Sequence, residues 1–187
     1  LTRTVELAPV AHSADIAIGL IGAGMMGQEH IQNFNLLAGA HVTAIADTDA
    51  GMRDKAAAMC DREVAPIDDF EKLVADPNLD AFVIATPNFH HIDVLRPALE
   101  TGKPILCEKP LCTTLADTGE ILASVGASNQ VFQVGMEYRF KPALAEMIAR
   151  VDAGETGKLQ MLTIREQRFP FLQKVGDWNR FNHNTGG

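Results

Sequence analysis

Residues 16–27 read Ile-Ala-Ile-Gly-Leu-Ile-Gly-Ala-Gly-Met-Met-Gly, an apolar run that ends directly in a glycine-rich turn. No other stretch constrains the fold as much. A strand stopping in such a turn needs a closely packed element after it. Met25 to Ala38 supplies one, with no proline and with apolar residues at helical spacing. Gly22, Gly24 and Gly27 keep the spacing G-x-G-x-x-G. The first permits a tight turn, the second lets backbone N–H groups approach a pyrophosphate, and the third lets the helix lie close to the strand. With Met25 and Met26 they make a turn whose free N-terminal amides would face phosphates.

Glycine-rich turns also occur in ordinary strand-to-helix connections, so the surroundings matter. A second apolar run, His41 to Ala46, ends in Asp47, about twenty residues beyond Gly27, where a dinucleotide site needs an acidic group for the adenosine ribose hydroxyls. The alternative for Asp47 is a turn or N-cap residue before a helix starting near Ala50. Thr48 and Asp49 follow it, not arginine, so a ribose 2′-phosphate would meet negative charge. NAD is therefore expected over NADP, with Arg53 the one residue that moderates this preference.

At 187 residues and 47% hydrophobic, the chain can bury a core, and its length fits one domain or one and a fraction. A net charge of −8 speaks against nucleic acid or an acidic membrane as partner. No apolar stretch is long enough to span a bilayer. Residues 1–14 lack the charged start and apolar centre of a signal peptide and read as a leader. Three cysteines, Cys60, Cys107 and Cys112, are odd in number and show no metal-ligand spacing, which fits a cytoplasmic location better than a disulfide framework. Cys107 and Cys112 are read as buried or half-buried thiols, a shared metal being the alternative, and no metal site is expected.

Apolar runs at Ile16 to Ile21, His41 to Ala46, Ala81 to Ala85, Ile105 to Cys107 and Val131 to Gly135 alternate with helical stretches. These are Met25 to Ala38, Ala50 to Cys60, Asp69 to Ala75, His91 to Thr101 and Leu115 to Gly126. Such alternation predicts an α/β, Rossmann-type doubly wound parallel sheet over residues 15–135. After Gly135 a helix from about Pro142 to Asp152 leads to a strand-like run, Leu159 to Arg168. Residues 136–187 are read as the start of a second, incomplete domain. The non-methionine first residue and the Gly186-Gly187 ending give the expectation of a fragment.

In a doubly wound sheet, ligands bind beyond the C-terminal ends of the strands. One strand runs into Thr86-Pro87-Asn88-Phe89-His90-His91 and the next into Glu108-Lys109-Pro110. A lysine there can hydrogen-bond a substrate hydroxyl, stabilise the developing alkoxide and take part in proton transfer. Taken alone, Glu108-Lys109 also reads as a solvated charge pair, and His90 and His91 as helix-capping or surface residues.

Together with the glycine turn and Asp47, these segments resemble the Gfo/Idh/MocA family of oxidoreductases, which includes glucose-fructose oxidoreductase and inositol dehydrogenases. The family carries G-x-G-x-x-G, an acidic residue after the second strand, T-P-N-x-x-H after the fourth and E-K-P after the fifth. The resemblance runs from about Ile16 to the end. It implies a cofactor groove lined by Thr86, Pro87, Asn88 and His91, Glu108 near the nicotinamide ribose, and Lys109 as the catalytic lysine in contact with cofactor and substrate. It also implies a second domain with a mostly antiparallel sheet covering the substrate, its first long strand being Leu159 to Arg168. Tyr138, Arg139 and Trp178 are the further substrate-side candidates. The family's D-x-x-x-H pair has no counterpart in this sequence, and His183 does not fit it.

The resemblance implies an NAD-dependent dehydrogenase oxidising a secondary alcohol of a sugar or cyclic polyol, inositol-like, by hydride transfer, and a homo-oligomer when full length. The alternatives are a non-catalytic NAD-binding sensor, which has no need of Lys109, and an NAD-dependent glycosidase, which releases no net NADH.

Overall fold

The computed structural model describes residues 15–167 and 174–186. Six strands form one parallel sheet: β1 Ile16–Ile21, β2 Ala40–Ala46, β3 Ala65–Ile67, β4 Ala81–Ile84, β5 Ile105–Glu108 and β6 Phe132–Gly135. Their order is β3-β2-β1-β4-β5-β6. The direction of winding therefore reverses between β1 and β4, and a crevice opens there beyond the strands' C-terminal ends. The crossovers carry helices α1 Met25–Phe34, α2 Ala50–Ala57, α3 Phe70–Val74, α4 His91–Glu100 and α5 Leu115–Gly126.

Alternating side chains send one set of each strand to each face. Ile18 and Leu20 of β1, Ile45 of β2 and Val83 of β4 bury one layer with Ile31 of α1 and Ala56 of α2. Ile21, Ala44, Ala46, Phe82 and Ile84 bury the other with α3, α4 and Ile121 of α5. Both faces are covered, which explains why these strands read as nearly continuous apolar runs.

The sequence pattern does not reveal β3. It is three residues long with Pro66 at its centre, and a proline is tolerated because β3 is the sheet's edge, paired only to β2. The first helix also ends earlier than its pattern, at Phe34, leaving Leu36 and Leu37 exposed before Gly39 at φ +82°.

Two compact units can be distinguished among the described residues, one holding 15–135 with 176–186, the other the described part of 136–175. In the second, a 3-10 turn at Glu137–Phe140 precedes α6, Pro142–Asp152. The expected strand from Leu159 to Arg168 does not form over its described part, 159–167, and Arg168 itself lies outside the described residues. A strand exists only through a ladder partner, and none pairs with this run among the described residues, so Leu159, Met161, Leu162 and Ile164 stand exposed. The segment 176–186 groups with the sheet. It carries all but the first residue of a 3-10 turn, Val175–Arg180, and α7, Asn182–Thr185. Among the described residues no helix is long and apolar enough to cross a membrane.

Candidate cofactor and active site

Gly22 leaves β1 at φ +99°, in the left-handed region, and a Cβ there would stand 2.5 Å from the Ala85 carbonyl carbon. At Gly27 a Cβ would meet the Gly22 carbonyl oxygen at 2.0 Å, so α1 lies directly against the turn. Gly24 differs from both: a Cβ there would meet no atom within 4 Å. The fold does not require glycine at that position, whereas close approach by a ligand does. Gly24 is also the N-cap of α1, and no side chain caps that helix. Its first-turn N–H groups are thus left for an external acceptor, with the positive end of the helix dipole behind them. Met25 is exposed and Met26 partly buried on this turn.

Asp47 follows β2 and reaches the same turn. Its Oδ2 accepts the Ala23 N–H at 2.8 Å and its Oδ1 the Asp49 N–H at 2.9 Å. Each carboxylate oxygen can accept a second bond, so the group both braces the turn and retains capacity for a ligand hydroxyl. The N-cap of α2 is Asp49, whose side chain accepts from Met52 N–H, so Asp47 is not the capping residue. Arg53 donates through Nη1 to the Asp47 main-chain oxygen and lies beside the acidic group.

Beyond β4, the hydroxyl of Thr86 is buried without a hydrogen-bond partner. Pro87 leads into a 3-10 turn, Asn88–His90, and Asn88 Nδ2 donates to the Thr185 carbonyl of α7 at 3.3 Å. Trp178 packs edge-on against Phe89, with ring centroids 6.2 Å apart, so it adjoins this loop.

His91 lies buried. It is expected to line the groove, yet it is 0% exposed, with Nδ1 2.8 Å from the Pro110 carbonyl and Nε2 3.1 Å from the Thr86 carbonyl. Helix α4 starts at His91 and turns the ring inward between the two loops. The ring therefore sits between the Thr86 and Pro110 carbonyls below the surface, and in its neutral form donates to only one of them. Burial lowers its pKa, against the opposing pull of those carbonyls and of Glu108.

Glu108 ends β5, buried, and its Oε1 lies 2.9 Å from His30 Nε2 of α1. Its Oε2 accepts the Lys109 N–H at 3.3 Å. Burial alone would raise this carboxyl, but the hydrogen bond and charge of His30, together with Lys109, outweigh it and hold the group below the ordinary carboxylate range. Lys109 itself is exposed and joined to Pro110 by a cis bond. His30 carries no signal in the sequence, and Gly135, whose lack of a Cβ leaves room for Glu108 Oε1, is visible there only as the end of an apolar run.

Tyr138 and Arg139 belong to the other unit, in its 3-10 turn. There Tyr138 donates to Glu166 Oε1 at 2.5 Å, and Lys141 Nζ stands 3.5 Å over its ring. Cys60, Cys107 and Cys112 are free. Burial pushes the Cys60 thiol up to about 11 and Cys107 higher still, so both are poor nucleophiles at neutral pH.

The sequence profile of the Gfo/Idh/MocA oxidoreductase family, described as having an NAD-binding Rossmann fold, matches residues 16–136. Inositol 2-dehydrogenase 1 of Saccharopolyspora erythraea is 37% identical over 144 residues, covering 76% of this chain and 43% of its own length. Inositol 2-dehydrogenase of Corynebacterium glutamicum is 39% identical over 155 residues, covering 80% of this chain and 45% of its own. Among solved structures, myo-inositol dehydrogenase from Lactobacillus casei in complex with NAD(H) and myo-inositol superposes with a TM-score of 0.71 at 30% identity, covering 75% of this chain and 42% of that one. The chain thus spans less than half the length of the relatives it matches.

Proposed function

The chain belongs to the Gfo/Idh/MocA oxidoreductase family with its NAD-binding Rossmann fold, and on that premise we propose that it holds NAD across the crevice between β1 and β4. There it serves the oxidation of a secondary alcohol of a cyclic polyol, inositol-like, by hydride transfer. The observation that carries the reading is the uncapped, open N-terminus of α1 at Gly24, with the Asp47 carboxylate on the same turn. Two relatives are named inositol 2-dehydrogenases, and a similar structure holds NAD(H) with myo-inositol, which supports the substrate class.

The residues present fit the cofactor. The amides of Gly24, Met25, Met26 and Gly27 would receive the pyrophosphate, Asp47 the adenosine ribose hydroxyls, and Thr86, Pro87, Asn88 and Glu108 the other half. NAD, when bound, supplies the hydride acceptor. Lys109 would then donate a hydrogen bond from Nζ to the substrate oxygen and stabilise the negative charge that develops there. Glu108 stays anionic behind it, and the buried His91 ring fills the space between the Thr86 and Pro110 carbonyls. The substrate-side roles of Tyr138, Arg139 and Trp178 belong to the same proposal, as do a cytoplasmic location, supported by the free thiols, and a homo-oligomer, supported by the exposed apolar run 159–164.

Calorimetric titration with NAD and NADP tests the reading. NAD should bind more tightly than NADP, and Asp47→Ala should weaken NAD by about ten- to a hundredfold, equivalent to roughly 1.5 to 3 kcal/mol. Equal affinity for both cofactors, or an unchanged variant, sinks it.

A further inference from the structure

The Glu108–His30 contact joins two elements that are distant in the chain. Helix α1 carries the phosphate turn at its start, and β5 carries Lys109 just past its end. His30 Nε2 lies 2.9 Å from Glu108 Oε1, with only 17% and 11% of the two side chains exposed. The other carboxylate oxygen holds the Lys109 N–H. On the side of β6, a Cβ on Gly135 would stand 3.1 Å from Oε1, so that neighbour leaves Glu108 room to face His30. Neither phosphate binding nor the polarisation of a substrate hydroxyl uses the His30 ring.

We propose that His30 is a positioning residue: by holding Glu108 it locks the Glu108-Lys109-Pro110 loop to the phosphate-binding helix and so shapes the nicotinamide half of the cleft. The inference rests on the NAD-binding reading above. In a sheet of this order a dinucleotide lies across the switch point, one nucleotide on each side. Asp47, after β2, marks the adenosine side, so Glu108, at the end of β5, belongs to the opposite half. Without His30 the buried carboxylate loses its side-chain donor and must turn toward solvent or take up a proton. A turn toward solvent releases the Lys109 N–H held by the same carboxylate, and protonation weakens that bond by removing the acceptor's charge. A neutral imidazole with its proton on Nε2 also has an N–H to donate at that point, so the positioning bond can be carried by a neutral donor, with any charge on the ring adding to it.

The test is calorimetric titration of the 187-residue chain, His30→Leu and His30→Gln with NAD and, separately, with ADP, which occupies only the adenosine and pyrophosphate part. His30→Leu should weaken NAD by about tenfold and leave ADP within about twofold. His30→Gln, whose amide N–H reaches the position of Nε2, should keep NAD within about threefold of the parent. Parent-like NAD binding in His30→Leu overturns the proposal. So does an equal loss of NAD and ADP, the mark of a purely structural role, or a glutamine variant no better than leucine. A parent chain that binds neither ligand removes the NAD-binding reading itself, and this inference with it, before any variant is compared.

Discussion

At the scale of single residues, His91 carries a pH dependence. A neutral imidazole has one N–H for two facing carbonyls, so only protonation would let it donate to both, and burial opposes the charge. The folded chain therefore binds that proton at a lower pH than the unfolded chain, whose histidine titrates near about 6.5. As pH falls below that value the unfolded state holds more protons, and stability falls with it. Melting temperature should thus decline between pH 7.5 and 5.5. His91→Asn, which keeps a donor toward the Pro110 carbonyl, should flatten that decline; parallel slopes for variant and parent would place the titrating group elsewhere. The sequence marks His91 as part of a motif but not where its ring points, since a histidine opening a helix reads alike whether it faces a groove or two carbonyls. His30 is less legible still, because its partner lies 78 positions away and α1 shows only an amphipathic pattern around it.

At the scale of elements, the glycine turn is three positions with three different physical demands, and substitution should separate them. Gly24→Ala adds a methyl into open space, so melting should stay within about 2 °C while NAD binding weakens by about tenfold or more. Gly27→Ala drives a methyl into the Gly22 carbonyl, and melting should fall by roughly 5 °C or more as α1 is pushed off the strand. Identical behaviour of the two variants would mean that the turn responds as one unit and that the open space at Gly24 has no ligand to receive. The element pattern was readable where burial on both faces made a strand apolar throughout, as in β1, β2 and β4. It failed at β3, where three residues around Pro66 carry too little pattern, and at 159–167, where alternating apolar residues resemble a strand but only a ladder partner can make one.

At the scale of the whole molecule, the parallel order of the six strands brings residues as far apart as Gly22, Asp47, Thr86 and Glu108 to one edge of the sheet. That convergence was legible because each ends or follows a strand, and strand ends of a parallel sheet share a side. The bonds across the crevice were not, since contacts between distant elements leave no periodicity. If only the folded form has the site, NAD at about a hundred times its Kd should stabilise the chain by roughly 2.7 kcal/mol, raising the melting temperature by about 5 to 10 °C. Thermal melts with and without NAD check this, and no shift would mean the assembled edge does not receive the cofactor. Asp47 gives the arrangement a further consequence. Its two oxygens hold the Ala23 and Asp49 amides, so the group proposed to choose the cofactor is also a brace of the turn. Conversion to a 2′-phosphorylated dinucleotide, whether by design or by descent, then has no single-step route. A substitution admitting the phosphate slackens the turn that must grip it, and a lineage making that exchange has to acquire a second brace first.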